Sequence, residues 1–508
     1  MSLGTRAVFL LGSFFLLAPG CGDSGDADGA SATGAAKVTG PVTGGMETPY
    51  STSRLAFGLK ASDHGYIEEE FFVEGTATTF GLVGTQTMDG KWTVTPGAEA
   101  PYKTRIVVRR PADAAKFNGT ALVEWLNVSG GIDADVDFMM GWEEILRGGY
   151  VYVAVSAQST GIEAGGIGLG SLVGGGNRPD SKPLKEWDPA RYASLAHPGD
   201  DYSFDIFSQV GELVAKPGKK GILGGLEPKR VLALGESQSA GRMVTYVNAV
   251  HPIANIYDGF LIHSRSAGGA ALTNGGGIAG LIGFVSGSPV LIRDDLTVPV
   301  VQAQSETDVN LYLGARQPDT ERLQTWEMAG TAHADRRFAD TESMGIDLGC
   351  GMVNDGPQHF LIKALIRSLH LWVANGTAPA KAPRIEVANG AIVRDELGNA
   401  KGGIRTPYVD VPIAVNSGEP DPATSGTNPG ASGGGALGGL LGGGNVVCSL
   451  FGHTKPFTPE QLATLYPTHQ EYVDKVTSSA ASTRTAGFLL AEDEATMVAD
   501  ARAAPVPR

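Results

Sequence analysis

The stretch Val231–Arg242, VLALGESQSAGR, decides how the rest of the chain is read. Val231 to Leu234 form a short apolar run of the length of one buried strand, and Gly235 ends it. The residues after it, AGRMVTYVNAVHP, are spaced as a helix. Between strand and helix the chain must turn sharply, with Glu236 past the strand and Ser237 at the apex. A serine hydroxyl attacks only when it stands clear of the backbone and a base takes its proton. A tight strand-to-helix turn exposes the hydroxyl, and small residues two before and two after relieve the crowding. Ser237 has Gly235 and Ser239 in those places. Ser239, between Ser237 and Gly241, fits the spacing loosely. It falls inside the first helical turn, where its hydroxyl is expected to be tied to the backbone as a cap. The register therefore favours Ser237 as nucleophile, and a plain turn in which neither serine reacts is the bland alternative.

Working outward, apolar strands alternate with amphipathic helices. GTALVEWLNVSGG reads as a buried strand ending in a polar, glycine-rich turn, and GWEEILRGGYVYVAVSAQ as helix, stop and strand. DYSFDIFSQVGELVAKP is helical, IYDGFLIHSR, VPVVQAQSETD and LQTWEMAG are strands, and HFLIKALIRSLHLWVANG is a helix closed by Gly376. This alternation predicts an α/β fold with a mostly parallel sheet and helices on both faces. Ligands of such sheets bind at the carboxyl ends of the strands.

Those strand ends supply partners for the serine. VPVVQAQSETD ends in Glu306 and Asp308, and TWEMAGTAHAD ends in His333, giving the chain order serine, acid, histidine. Of the nine histidines, only His263, at the end of GFLIH, competes with His333 as a base, and it precedes both acids. Asp308, placed in the loop beyond its strand, is preferred as the acid, with Glu306 as the alternative. The one not used is expected to line the pocket. Asp335 lies too close to His333 in sequence. A developing oxyanion needs two backbone donors. Gln238 N–H is one, and Val128 or Ser129 supplies the other, with Gly130 and Gly131 permitting close approach. No His/Cys/Asp cluster has metal-ligand spacing, so neither metal nor organic cofactor is expected.

The 508 residues carry a net charge of −15 and no long basic run, which argues against nucleic acid as a partner. Arg6, a short apolar segment and Ala18-Pro19-Gly20-Cys21 predict an export signal over residues 1–20 and a lipid anchor on Cys21, so that membrane contact is through that anchor. The alternative is an ordinary signal and a soluble exported protein. Residues 21–39 read as a flexible tether and 40–376 as the catalytic domain, with a cap-like excursion at 161–192. Residues 377–508 read as an extension packed on that domain, with a glycine-rich mobile loop at 417–445. In an oxidising compartment the remaining cysteines, Cys350 and Cys448, are expected to pair. Trp142, Trp187 and Tyr192 are candidate apolar contacts for a substrate, with ordinary core packing as the alternative.

The blocks EWLNVSGG, RYASLAHPGDDYSFDIFSQ, GESQSAGRMVTYVNAVHP, YDGFLIHSR, SETDV and WEMAGTAHAD resemble a family of exported bacterial α/β-hydrolase-domain proteins. So do GYIEEEFF and SLFGHTKPFTPEQLATLYPTHQEYV, which extend the likeness over most of the chain from about residue 40. The resemblance implies the α/β-hydrolase fold and a Ser–acid–His site at Ser237, Asp308 (or Glu306) and His333. It names no substrate. A small-molecule or glycan-borne carboxylic ester is the expectation. An amide or lactone cleaved by the same triad, or a non-catalytic binding module on the same fold, are the rivals.

Overall fold

The apolar runs on either side of the quoted stretch become neighbouring strands of one sheet. The structure, a computed structural model, describes residues 36–46, 48–163, 182–218, 221–273, 287–339, 350–421 and 446–506. Among these, nine strands form the main sheet: β1 (Lys37–Thr39), β2 (Tyr66–Val83), β3 (Thr93–Pro111), β4 (Thr120–Trp125), β5 (Val151–Val155), β6 (Arg230–Glu236), β7 (Gly259–His263), β8 (Val300–Ser305) and β9 (Leu323–Met328). Their order is β1-β2-β3-β5-β4-β6-β7-β8-β9. From β5 to β9 every pair is parallel, whereas β1, β2 and β3 add an antiparallel edge.

The central strands read as continuous apolar runs because both faces are covered. Side chains alternate between the faces. Ala121, Val123, Trp125, Val231 and Ala233 meet Phe204, Phe207 and Val210 of α2 (Ser203–Ala215) and Met243 of α3 (Gln238–Thr245). Leu122, Leu232, Leu234 and Leu261 meet Phe138 and Ile145 of α1 (Val136–Arg147) and Leu361 and Leu365 of α5 (Gln358–Asn375) on the other face. The short helix α4 (Glu306–Tyr312) follows β8 directly. β4 lies between β5 and β6, so the strand order reverses there. The loops leaving β4 and β6 part at the carboxyl edge and leave the crevice where such folds bind ligands.

The chain enters this sheet before residue 40, because Lys37–Thr39 already pairs with Phe72–Glu74. The proposed signal, Cys21 and most of the tether lie outside the described residues, as do residues 164–181 of the excursion. Residues 182–192 are bolted to the antiparallel edge. Arg191 and Arg105 bind opposite oxygens of buried Glu70, at 2.5 and 2.8 Å, and Tyr192 donates to the same carboxylate at 2.8 Å. Trp187 packs edge-on against Tyr50, and Tyr192 is fully enclosed beside Phe72. Trp142 meets His64. Tyr192 is core, whereas Trp142 and Trp187 are half-buried at its margin.

After Gly376, a left-handed C-cap at φ 81°, the chain returns to the sheet edge, where Ile404 N–H donates to Glu327 O at 2.7 Å. A strand pair, Ala414–Ser417 with His453–Pro456, follows. Ser417 is thus the end of a strand rather than the start of a loop, and residues 422–445 lie outside the described ones. A capping box starts the next helix: Thr458 Oγ1 accepts from Gln461 N–H, and the Gln461 side chain accepts in turn from Thr458 N–H. The last helices, α6 (His469–Thr485) and α7 (Ala491–Ala503), dock on the α1/α5 side, where buried Lys363 binds Asp493 at 2.6 Å. Cys350 and Cys448 form a disulfide. Among the described residues no helix is long and apolar enough to cross a membrane.

Candidate active site

Ser237 sits where β6 gives way to α3, with φ 56° and ψ −118°. A non-glycine residue in that region is strained and is held there by its surroundings. The holding contacts are backbone bonds: Ser237 N–H donates to His263 O at 2.8 Å, and Gly241 N–H donates to Ser237 O at 3.1 Å. Gly235 is required for the turn to close. A Cβ there would lie 2.8 Å from Met243 Cγ and 3.0 Å from Ser239 O. Ser239 is wholly buried, and its hydroxyl donates to Leu126 O, at 3.1 Å, beyond the end of β4. It is tied to backbone as expected, but to a neighbouring strand's loop and not as a cap of its own helix. Bound and buried, Ser239 is unavailable for attack, and Ser237 is the serine that faces a base.

The imidazole that faces Ser237 is His333. Its Nε2 lies 2.8 Å from Ser237 Oγ, and its Nδ1 lies 2.6 Å from Asp308 Oδ1. Asp308 stands in the first turn of α4 rather than in a loop, and is fully buried. Burial opposes its charge, but His333 and the Ser305 hydroxyl outweigh that and hold its carboxyl below the usual range. Burial also opposes a charged His333. Asp308, by charge and hydrogen bond, together with Glu236, reverses the balance and raises the imidazole to about 9.

Glu306 does not line a pocket. Its Oε2 accepts from Gly330 N–H at 2.9 Å, while its Oε1 accepts from Gly418 N–H at 3.1 Å and Arg394 Nη2 at 2.9 Å. With both oxygens engaged, it fastens the loop before His333 to the C-terminal segment. Asp335, also buried, accepts from Phe338 N–H at 3.3 Å at the start of the next short helix. His263 faces away from Ser237 chemistry: its Nδ1 lies 2.9 Å from Asp137 and its Nε2 accepts from Gln358 at 2.8 Å.

The histidine loop is held on several sides. His333 N–H donates to Thr307 Oγ1 at 3.2 Å, and that hydroxyl donates to Gly418 O at 2.6 Å. Ala334 N–H donates to Leu450 O at 2.9 Å, two residues past the disulfide-bonded Cys448. Gly452 is confined there as well, since a Cβ would fall 2.2 Å from Ser417 O and 3.0 Å from Ala332 Cβ.

On the other side of Ser237, Gln238 is the first residue of α3, where an N–H has no acceptor within the helix. Ser129 N–H, one of the two candidates in this loop, is already engaged, donating to Asn127 Oδ1 at 2.7 Å. Asn127 was not singled out from the sequence, yet it ties this loop to the elbow. Its Nδ2 donates to Glu236 O at 3.1 Å and to Glu236 Oε2 at 2.8 Å. Glu236, Asn127 and the His263–Asp137 pair left no local signal, because each meets its partner across strands.

The arrangement provides a hydroxyl bonded to an imidazole, and an imidazole oriented by a buried carboxylate, which is the chemistry of an activated nucleophile. The alpha/beta hydrolase domain family matches residues 38–499. No curated protein matches the sequence. Among solved structures, esterase Est22 is 12% identical with a TM-score of 0.30, over 58% of this chain and 79% of that one. A Xanthomonas campestris protein described as an α/β serine hydrolase without lid is 12% identical with a TM-score of 0.26, over 53% and 91% of the two chains. A Rhizomucor miehei esterase is 8% identical with a TM-score of 0.28, over 63% and 91%. The family match takes in the elbow, both acids, the histidine and most of the C-terminal segment: this chain belongs to the alpha/beta hydrolase domain family.

Proposed function

We propose that the protein is a serine hydrolase that cleaves carboxylic esters through an acyl-enzyme. Ser237 Oγ attacks the ester carbonyl carbon while His333 Nε2 takes the hydroxyl proton. Asp308 holds the imidazole by Nδ1 and stabilises the imidazolium. Gln238 N–H and Val128 N–H hold the oxyanion. As the tetrahedral intermediate collapses, the bond between the former carbonyl carbon and the alkoxy oxygen breaks, and His333 gives its proton to that oxygen, releasing the alcohol. Water then attacks the acyl-serine by the same steps, and the acid is released with Ser237 restored.

One observation carries this reading: His333 bridges Ser237 and Asp308 at 2.8 and 2.6 Å. Its test is a fluorophosphonate probe with peptide mapping, followed by a panel of acyl esters of graded size, small-molecule and glycan-borne, with matched amides and lactones. Wild type should label at Ser237 and hydrolyse esters, and Ser237→Ala should do neither. Labelling at Ser239, or ester cleavage that survives Ser237→Ala, refutes the assignment.

We also propose that the chain is exported in a bacterium and anchored through a lipid on Cys21. Metabolic labelling with palmitate should mark the wild type and not Cys21→Ala. A variant that keeps its membrane association argues against the anchor.

A further inference from the structure

Glu236 takes no part in the steps above, yet it is the residue next to the nucleophile and is nearly enclosed, with 4% exposure. Taking a carboxylate out of water is unfavourable unless partners repay it. Its partners are unusual in facing the reaction from two directions. Oε2 accepts from Asn127 Nδ2 at 2.8 Å, in the loop that carries Val128. Oε1 lies 3.5 Å from His333 Nε2, the same nitrogen that meets Ser237 Oγ at 2.8 Å. Its register partner on β7 is His263, which is itself bonded to Asp137 and Gln358 at the starts of α1 and α5. Burial, with Asp137 and Asp308 on its side, outweighs the pull of His333 and His263 and leaves Glu236 raised to about 7.

We propose that Glu236 is a positioning residue for the reaction: one carboxylate oxygen fixes the Asn127–Val128 loop, and the other stabilises the His333 imidazolium from its Nε2 side. The inference rests on the reading of Ser237, His333 and Asp308 as the triad. An ionised carboxylate has no hydrogen to give. It therefore leaves the Nε2 lone pair of the neutral imidazole to the serine hydroxyl. Once Nε2 has taken the serine proton, an anion stands within 3.5 Å of the new charge. The contact is thus stronger after proton transfer than before it, which is the condition for lowering a barrier. Asp308 acts on Nδ1 and Glu236 on Nε2, so the two acids support one imidazolium from opposite edges of the ring.

The test follows fluorophosphonate labelling rate against pH for the full chain, comparing wild type with Glu236→Gln, Glu236→Asp and Asn127→Ala. Glu236→Gln should slow the plateau rate about tenfold and move the acidic limb about one pH unit lower, because an anion near His333 is lost. Glu236→Asp, with the charge withdrawn by one methylene, should move the limb in the same direction by less. Asn127→Ala should slow the plateau and leave the limb in place, since the Glu236 charge remains. An acidic limb unmoved in both Glu236 variants, with Ser237 still labelling, overturns the inference and leaves the triad reading standing. A wild type that does not label at Ser237 overturns both. Should neither Glu236 variant fold, the NMR titration of His333 in the wild type decides. A His333 curve coupled to a group titrating near neutrality, where Glu236 and not Asp308 lies, is expected, and a curve without that coupling overturns the proposal.

Discussion

Ser305 and Asp308 hold each other at the start of α4. Ser305 N–H and its hydroxyl donate to Asp308 Oδ2 at 2.9 and 2.6 Å, and Asp308 N–H returns a bond to Ser305 Oγ at 3.3 Å. This capping box satisfies two orphan groups of the helix start. It also fixes the carboxylate so that its other oxygen, Oδ1, points at His333 Nδ1. One local motif therefore starts a helix and aims the acid.

Ser305→Ala removes the cap and one of the two bonds on Oδ2. Thermal or denaturant unfolding should register a loss of about 1 kcal/mol. The probe should also label Ser237 on the order of 10- to 100-fold more slowly, because the acid is no longer held in line. A loss of stability with labelling unchanged would mean that the box serves the helix alone.

The two acids at the end of β8 should separate cleanly. Asp308→Asn keeps the shape but removes the charge that orients His333, and turnover should fall about 10⁴-fold. Glu306→Gln keeps an amide oxygen to accept from one of the Gly330 and Gly418 N–H groups and should slow labelling far less than Asp308→Asn does. It should nonetheless lower stability by about 1–3 kcal/mol, since Arg394 and two N–H groups lose their anionic acceptor. If Glu306→Gln abolishes labelling and Asp308→Asn does not, the acid has been misassigned.

The pH dependence follows from the raised imidazole. His333 works as a base only when neutral, and its protonated form persists towards about 9. Labelling should therefore rise with pH, with the midpoint of the acidic limb above the ordinary histidine value of about 6.5. A limb centred at or below that value would show that Asp308 and Glu236 do not act on His333 as described.

Removing the disulfide should be felt at the histidine. Cys350 and Cys448 are 98 residues apart, and a cross-link closing a loop of that length contributes on the order of 2–5 kcal/mol. The Cys350→Ser/Cys448→Ser variant should melt lower and label more slowly, because Leu450 O is the acceptor for Ala334 N–H beside the base. Equal labelling rates at a temperature where both forms are folded would confine the bridge to stability.

The elbow was legible because its requirements are local. A glycine two places before the serine is forced by Met243 and Ser239 in the same short segment. The order of serine, acid and histidine, and the parallel sheet, followed from the alternation of apolar runs. The position of Asp308 was harder to read. Ser305-x-x-Asp308 is a capping pattern, and read as a helix start it would have favoured Asp308 over Glu306 and placed it in a helix instead of a loop. The burial of Glu306 against Arg394 and Gly418 depends on residues 88 to 112 positions away, which no periodicity announces. Glu236 and His263 become neighbours only through the register of β6 and β7. Tyr192 looks like a pocket aromatic in sequence because nothing local reveals the Glu70 carboxylate it binds.

Gly418 and Leu450 each bond to the stretch that carries the acid or the base, from beyond the last helix of the sheet. A chain trimmed after residue 376 would retain the serine, the aspartate and the histidine, yet lose the scaffolding that sets two of them. Anyone transplanting this site, or shortening the protein for expression, must carry the final quarter along, because that quarter belongs to the machinery and is no mere appendage.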